Sequence, residues 1–230
     1  MTYRTRVASV YLLGFFIDLI NMFIANVAYP DIARHFDASV SLLAWVSNGY
    51  ILGLTLIIPL SGWLAKRVGS KPLFMLSLLI FMLGSCGAGS ASSMAQLIGW
   101  RLVQGLGGGL LIPLGQTLTY ALYRSHERAR LSAAIMLVGL LAPALSPALG
   151  GMIVDSVSWR WVFFASLPLA GAALILAGCW LKPESEKQPA GPMDLSGLLA
   201  ACGSLTLILL GLTRMGDASG VNQGALIKTH

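Results

Sequence analysis

Charge is what this sequence has little of. Only 10% of its 230 residues are charged, against 56% hydrophobic, and the mean hydropathy is +0.77. A soluble domain carries roughly 25% charged residues because its surface faces water. The polar side chains here are too few to cover a globule of this size, so most of the surface must face lipid. Cysteine and histidine are scarce too, with three of each. Cys86, Cys179 and Cys202 lie in apolar runs without CxxC spacing, which argues for inert thiols and against a disulfide framework or zinc site. His35, His126 and His230 are scattered in polar connectors, so neither a metal centre nor a cofactor is expected. The apolar runs also lack a GxSxG elbow, an HExxH pair or a carboxylate–histidine cluster, which argues against a membrane-embedded enzyme.

Long hydrophobic runs are what the sequence does have. A membrane-crossing helix needs roughly 20 mostly apolar residues at about 1.5 Å each. Seven such runs occur, at about 8–29, 44–65, 72–92, 96–120, 131–154, 161–181 and 195–213, each bounded by charged or turn-forming residues. They lack strand alternation and are too long for barrel strands, so helices satisfy the backbone in lipid. The first run is too long for a signal-peptide core and has no small-residue cleavage site, so it reads as a retained span.

The connectors sort alternately into two sides. Arg4, Arg6, Lys66, Arg67, Lys71, Arg124, Arg128, Arg130, Lys182 and Lys187 fall on one, and Arg34, Arg160, Arg214 and Lys228 on the other. The excess of cations on cytoplasmic loops places the N-terminus in the cytoplasm of a multi-pass inner-membrane protein. The same distribution accounts for the net charge of +6 without a nucleic-acid partner. Lys182–Asp194 is a polar, proline-containing connector. The expected organisation is a six-helix unit at 1–181, a cytoplasmic linker at 182–194, and a seventh transmembrane helix with a cut-off tail at 195–230.

A few polar residues interrupt the runs. Asp18 sits near the middle of the first, with Asn21 and Asn26, and Arg101 lies inside the fourth. An ionisable side chain at the bilayer centre costs about 2.5–3.5 kcal/mol on insertion scales, so such residues default to a functional reading. Two readings stand: a structural ion pair with asparagines bonded between helices, or groups that line a water-filled path and re-pair during transport. Burial would favour proton uptake by such a carboxylate. The fourth run also carries Gln104-Gly105-Leu106-Gly107-Gly108-Gly109 and Pro113. Gly105 and Gly109, four apart, allow close helix approach. No Lys-Ser/Thr follows, so this is not a phosphate loop. Gly139, Pro143, Pro147, Gly150 and Gly151 kink or thin the fifth.

These residues resemble the major facilitator superfamily, and within it the fourteen-span drug:proton antiporters of the EmrB/QacA type. Gly62-Trp63-Leu64-Ala65-Lys66-Arg67-Val68-Gly69-Ser70-Lys71 is similar to the family's GxLaDRxGRK loop, with Lys66 where the broad pattern has an acid. Gly62, Arg67, Gly69 and Lys71 match. Arg101-Leu102-Val103-Gln104-Gly105 resembles RxxQG, whose arginine is implicated in proton coupling. Ser146-Pro147-Ala148-Leu149-Gly150-Gly151 is similar to the antiporter signature GPxxGG, with Ser146 for its first glycine and Pro143 one turn before. Trp159-Arg160-Trp161, Phe163, Phe164 and Pro168 resemble the subfamily's WRWxFxxxxP stretch. In the first run, Asn26, Ala28 and Pro30 align with the end of D-x-T-I-x-N-x-A-x-P, which puts Asn21 where the acid belongs. Asp18 stands three residues earlier on the same helical face.

The resemblance implies an all-α integral membrane fold, the six-helix N-terminal bundle of a major facilitator, plus a seventh transmembrane helix. It further implies alternating access, with protons entering as hydrophobic or cationic compounds leave. Asp18 and Arg101 are then the proton-coupling pair, expected to face each other across an aqueous passage. Asn21, Asn26, Gln104, Phe23 and Trp100 are the expected cavity side chains, with Trp45 and Tyr50 as further aromatics. Each aromatic reads equally well as part of a lipid-facing or interfacial belt. Lipid, protons and a second half, either a missing C-terminal one or another half-transporter, are the expected partners. A truncated, non-transporting remnant is the rival reading.

Overall fold

The computed structural model describes residues 1–183 and, beyond them, residues 196, 197, 200, 202–204, 206–208 and 211. Among the described residues every regular element is a helix. Six stretches are long and apolar enough to cross a membrane: Tyr3–Val27, Val40–Val68, Ser70–Gly89, Met94–Tyr120, Ser125–Ser156 and Trp161–Trp180. They coincide with the first six runs read from the sequence, with ends displaced by a few residues. The expected seventh span and most of the linker lie outside the described residues. The chain divides into two units, Met1–Met193 and Asp194–His230, and all six of these stretches belong to the first.

Span 1 is α1 (Tyr3–Val27), followed by a short helix α2 (Tyr29–Phe36). Asp37 ends α2 in the left-handed region, at φ 49°, and Ser39 then caps α3 (Val40–Ile57) by accepting from the Leu42 N–H at 3.3 Å. A 3-10 turn at Ile58–Leu60, carrying Pro59, joins α3 to α4 (Ser61–Val68), and the two form span 2. Gly69, at φ 96°, makes the sharp turn into α5 (Ser70–Gly89), span 3. Ser93 caps α6 (Met94–Tyr120), span 4, through the Gln96 N–H at 3.3 Å. Span 5 is α7 (Arg128–Ser156), and span 6 comprises α8 (Trp161–Phe164) and α9 (Ser166–Trp180).

Span 4 is the hub of the bundle, packing against spans 1, 2 and 3. Between helices in lipid the hydrophobic effect supplies little drive, so close backbone approach and hydrogen bonds must hold them together. The glycines of α6 provide that approach. A methyl on Gly105 would stand 2.0 Å from the Tyr50 carbonyl oxygen of span 2, and one on Gly107 2.4 Å from the Phe81 nitrogen of span 3. Toward span 1 the fit has a seven-residue period. Asp18 lies over Gly108 and Tyr11 over Gly115, where an added methyl would come within 2.2 and 2.1 Å. Each wide side chain of α1 thus fills a place where α6 has none.

Two apolar clusters divide the bundle along its axis. One includes Val7, Val10, Ile17, Phe74, Phe81 and Leu110, and the other Ile20, Ile24, Val46, Leu97 and Phe163. Asp18 lies between Ile17 and Ile20 and Asn21 just past Ile20, while Arg101 and Gln104 fall between Leu97 and Leu110, where the clusters meet; the buried Thr119 sits further along α6.

Candidate functional site

At that junction Arg101 is fully buried. Its Nε donates to the Val46 carbonyl at 3.1 Å, and Nη1 donates to Asn21 Oδ1 and to Gln104 Oε1, both at 2.7 Å. Gln104 passes the chain on, its Nε2 donating to Ser85 Oγ at 2.6 Å, and Ser85 lies 3.2 Å from Ser166 Oγ. One network therefore joins spans 1, 2, 3, 4 and 6. The guanidinium also lies over two rings, 4.3 Å from the centroid of Tyr50 and 5.7 Å from that of Phe163, a favourable contact for a cation taken out of water. Two buried donors in the network, Arg101 Nη2 and Asn21 Nδ2, have no partner among the described residues.

Asp18 is equally buried, one turn from Asn21, but among the described residues it makes no ion pair with Arg101. Its Oδ1 accepts instead from the Tyr50 hydroxyl. Tyr50 stands between the two charges, with its ring beneath the guanidinium and its hydroxyl on the carboxylate. The sequence expectation set an acid and a guanidinium facing each other across an aqueous passage; the structure puts Tyr50 between them. The side chains are packed without solvent exposure, and an aromatic ring intervenes. The reason is steric as well as chemical: Gly108 leaves room for Asp18 and Tyr50 to meet, and Asn21 takes the position nearest Arg101.

Comparison with known proteins places this geometry. The model of the Major Facilitator Superfamily matches residues 11–214. The chain belongs to the major facilitator superfamily. It is 35% identical to the multidrug export protein EmrB of Escherichia coli K12 over 200 residues, 86% of this chain and 39% of that protein. It is 35% identical to MdtD of Cronobacter sakazakii over 93% of this chain and 45% of that protein. The multidrug resistance protein B homolog of Mycobacterium tuberculosis H37Rv is 34% identical over 90% of this chain and 38% of its own length. The chain therefore spans less than half the length of these curated relatives. Among solved structures, the proton:xylose symporter XylE superposes with a TM-score of 0.71 at 17% identity, covering 99% of this chain and 56% of that one. The human organic anion transporter MFSD10 gives 0.67 at 19%, covering 90% and 55%. At those identities the likeness shows the fold.

The other residues expected from the superfamily motifs spread over three places. At the end of span 2, Arg67 of α4 lies 5.1 Å from the Trp63 ring, a methyl placed on Gly62 would meet open space, and Gly69 makes the positive-φ turn that follows. Lys71 has a further role: its Nζ donates to the carbonyls of Gly178, at 2.9 Å, and Leu181, at 2.5 Å, at the C-terminus of span 6. In span 5, Ser146 and Gly150 are buried with Ala142, a strip spaced by four residues. Gly150 sits against Val27 and Ile24 of span 1, so the antiporter-like segment is a packing face. Pro143 is half-buried, while Pro147 lies on the open side, and nothing lies within 4 Å of a methyl placed on Gly151. Of the expected cavity residues, Asn21 and Gln104 join the central network. Asn26 is exposed and accepts from Ser47 at 3.0 Å, Phe23 is half-buried, and Trp100 is packed onto Gly87 of span 3.

Sequence reasoning missed Ser85, Ser166 and Gly108, and it grouped Tyr50 with the generic aromatics. The serines did carry a signal, being isolated hydroxyls within otherwise apolar runs. Nothing in the spacing alone reveals that Tyr50 and Asp18 share an azimuth.

Proposed function

We propose that the chain forms the N-terminal half of a proton-coupled exporter of hydrophobic or cationic compounds, working by alternating access in the cytoplasmic membrane with its N-terminus inside. The observation that carries this reading is a carboxylate and a guanidinium, both buried at the junction of the two apolar clusters and joined through one aromatic side chain. Charges in a bilayer interior are retained where they move or bind something, and a carboxylate is suited to take up and release a proton. The names of the relatives, which speak of multidrug export and resistance, support drugs as the cargo. Asp18 is then the proton carrier, and Arg101, held by Asn21 and Gln104, is the fixed cation that senses its charge. Protons and lipid are the partners in this reading, with a second half completing the path.

The test is efflux of a fluorescent hydrophobic cation from cells carrying the chain together with a matching C-terminal half, with and without a protonophore. Asp18→Asn is expected to abolish the protonophore-sensitive part while the protein still inserts in the membrane. Efflux at the unmodified rate in that variant refutes the role of Asp18. A chain that inserts but never supports efflux marks it as a remnant.

A further inference from the structure

We infer that Tyr50 is a positioning residue that ties the charge on Asp18 to the placement of Arg101. This rests on the reading of Asp18 as the proton carrier. Tyr50 is fully buried, and it is the side chain through which the two charged groups are joined. Its freedom is narrow. The added-methyl distances are 2.0 Å from Gly105 to the Tyr50 carbonyl and 2.7 Å from Gly108 to its hydroxyl, so both ends of the residue lie against the backbone of span 4. The phenol hydrogen can turn without the ring, but any displacement of the oxygen carries the ring beneath Arg101 with it.

The chemistry supplies the shift. While Asp18 is ionised, its carboxylate is a strong acceptor and the phenol donates to it. When Asp18 takes up a proton from water it becomes a donor, and the phenol oxygen can accept from it. The phenol O–H then turns to another acceptor, and the Asp18 backbone carbonyl, 3.5 Å away, is in reach. No bond other than this proton's O–H bond is made, and the hydrogen bond reverses. At the same moment Arg101 loses the nearby negative charge, and its unpartnered Nη2 gains the freedom to seek a new acceptor. Among the described residues, the titratable or charged groups facing Asp18 are Tyr50 from span 2 and Arg101 from span 4. Spans 3 and 6 contribute the neutral Ser85 and Ser166 to the adjoining network.

Infrared difference spectroscopy of the full chain in lipid nanodiscs, titrated with buffer pH, tests this directly. The carboxylic-acid band absent from Asp18→Asn identifies Asp18. Tyr50→Phe keeps the ring beneath Arg101 and removes only the hydroxyl. A hydrogen bond to a charged group corresponds to a shift of about 1–2 pH units, so the band's midpoint should move by about one unit or more. Phe74→Leu, a comparable change in the apolar core, should leave it in place. Gel filtration and melting of Tyr50→Phe close to the parent separate positioning from folding. An unmoved midpoint in Tyr50→Phe, or an equal shift in Phe74→Leu, overturns the role of Tyr50 while leaving Asp18 as carrier. If Asp18→Asn removes no titrating band, the carrier reading fails and takes this inference with it.

Discussion

Gly108→Ala should unsettle the bundle far more than its single methyl suggests. That methyl would lie 2.2 Å from Asp18 Oδ1 and 2.7 Å from the Tyr50 hydroxyl, well inside ordinary contact. Both neighbours are held, Asp18 by its position on α1 and Tyr50 by span 4, so the methyl must push them apart. Overpacking of this kind costs about 1–3 kcal/mol. Losing a hydrogen bond to a charged group adds about 1.5–3 kcal/mol. Alanine's better helix propensity returns up to about 1 kcal/mol. The net loss is about 1.5–6 kcal/mol, a fall in melting temperature on the order of 10 °C for a chain of this size. Gly99→Ala in the same helix is the control: it is exposed, with nothing within 4 Å of the added carbon, and should melt level with or slightly above the parent. Adding Asp18→Ala to Gly108→Ala removes the closest clash, so the double variant should fall short of the summed losses by about 1 kcal/mol or more. Detergent-solubilised protein followed by intrinsic fluorescence gives the curves for the parent, the three single variants and the double variant. If Gly108→Ala and Gly99→Ala melt together, the packed Asp18–Tyr50 contact is refuted.

Two further substitutions probe the neighbouring residues. Lys71→Met removes both bonds to the last carbonyls of span 6 and should lower stability by about 1 kcal/mol, because the lysine is partly exposed. Limited proteolysis near Leu181 should accelerate in that variant. Asn21→Asp places a carboxylate directly on Arg101 Nη1, at a present separation of 2.7 Å, and should restore protonophore-sensitive efflux to Asp18→Asn. Efflux that stays absent in the double variant shows that the acid must be where Tyr50 can reach it.

Much of the fold was legible because lipid leaves few choices: a run of about 20 apolar residues must be a helix. Height along each helix was legible too, since rise per residue is fixed, and Asp18 and Arg101 are both buried within the bundle. Azimuth was not. The seven-residue spacing of Tyr11 and Asp18 against Gly115 and Gly108 emerges only when two helices are paired, and neither sequence alone says which glycine meets which side chain. Trp100 shows the same gap, being next to Arg101 in sequence yet turned onto Gly87. Lys71 was read as a loop charge, because its carbonyl partners lie more than a hundred residues away.

Span 5 stands apart from the rest in one respect. Among the described residues, the central hydrogen-bonded network that stitches the other five spans includes none of its side chains, and Ser146 turns back to the Ala142 carbonyl of its own helix at 2.6 Å. Its grip on span 1 is a strip of small side chains, while Met136, Leu140, Leu145 and Met152 lie open. Sliding or tilting this helix would strip no partner from a charge at the core, and acyl chains could replace the contacts it gives up at little loss. Among the described residues it is the one span whose displacement would leave that central network whole: a loose stave on an otherwise riveted cask.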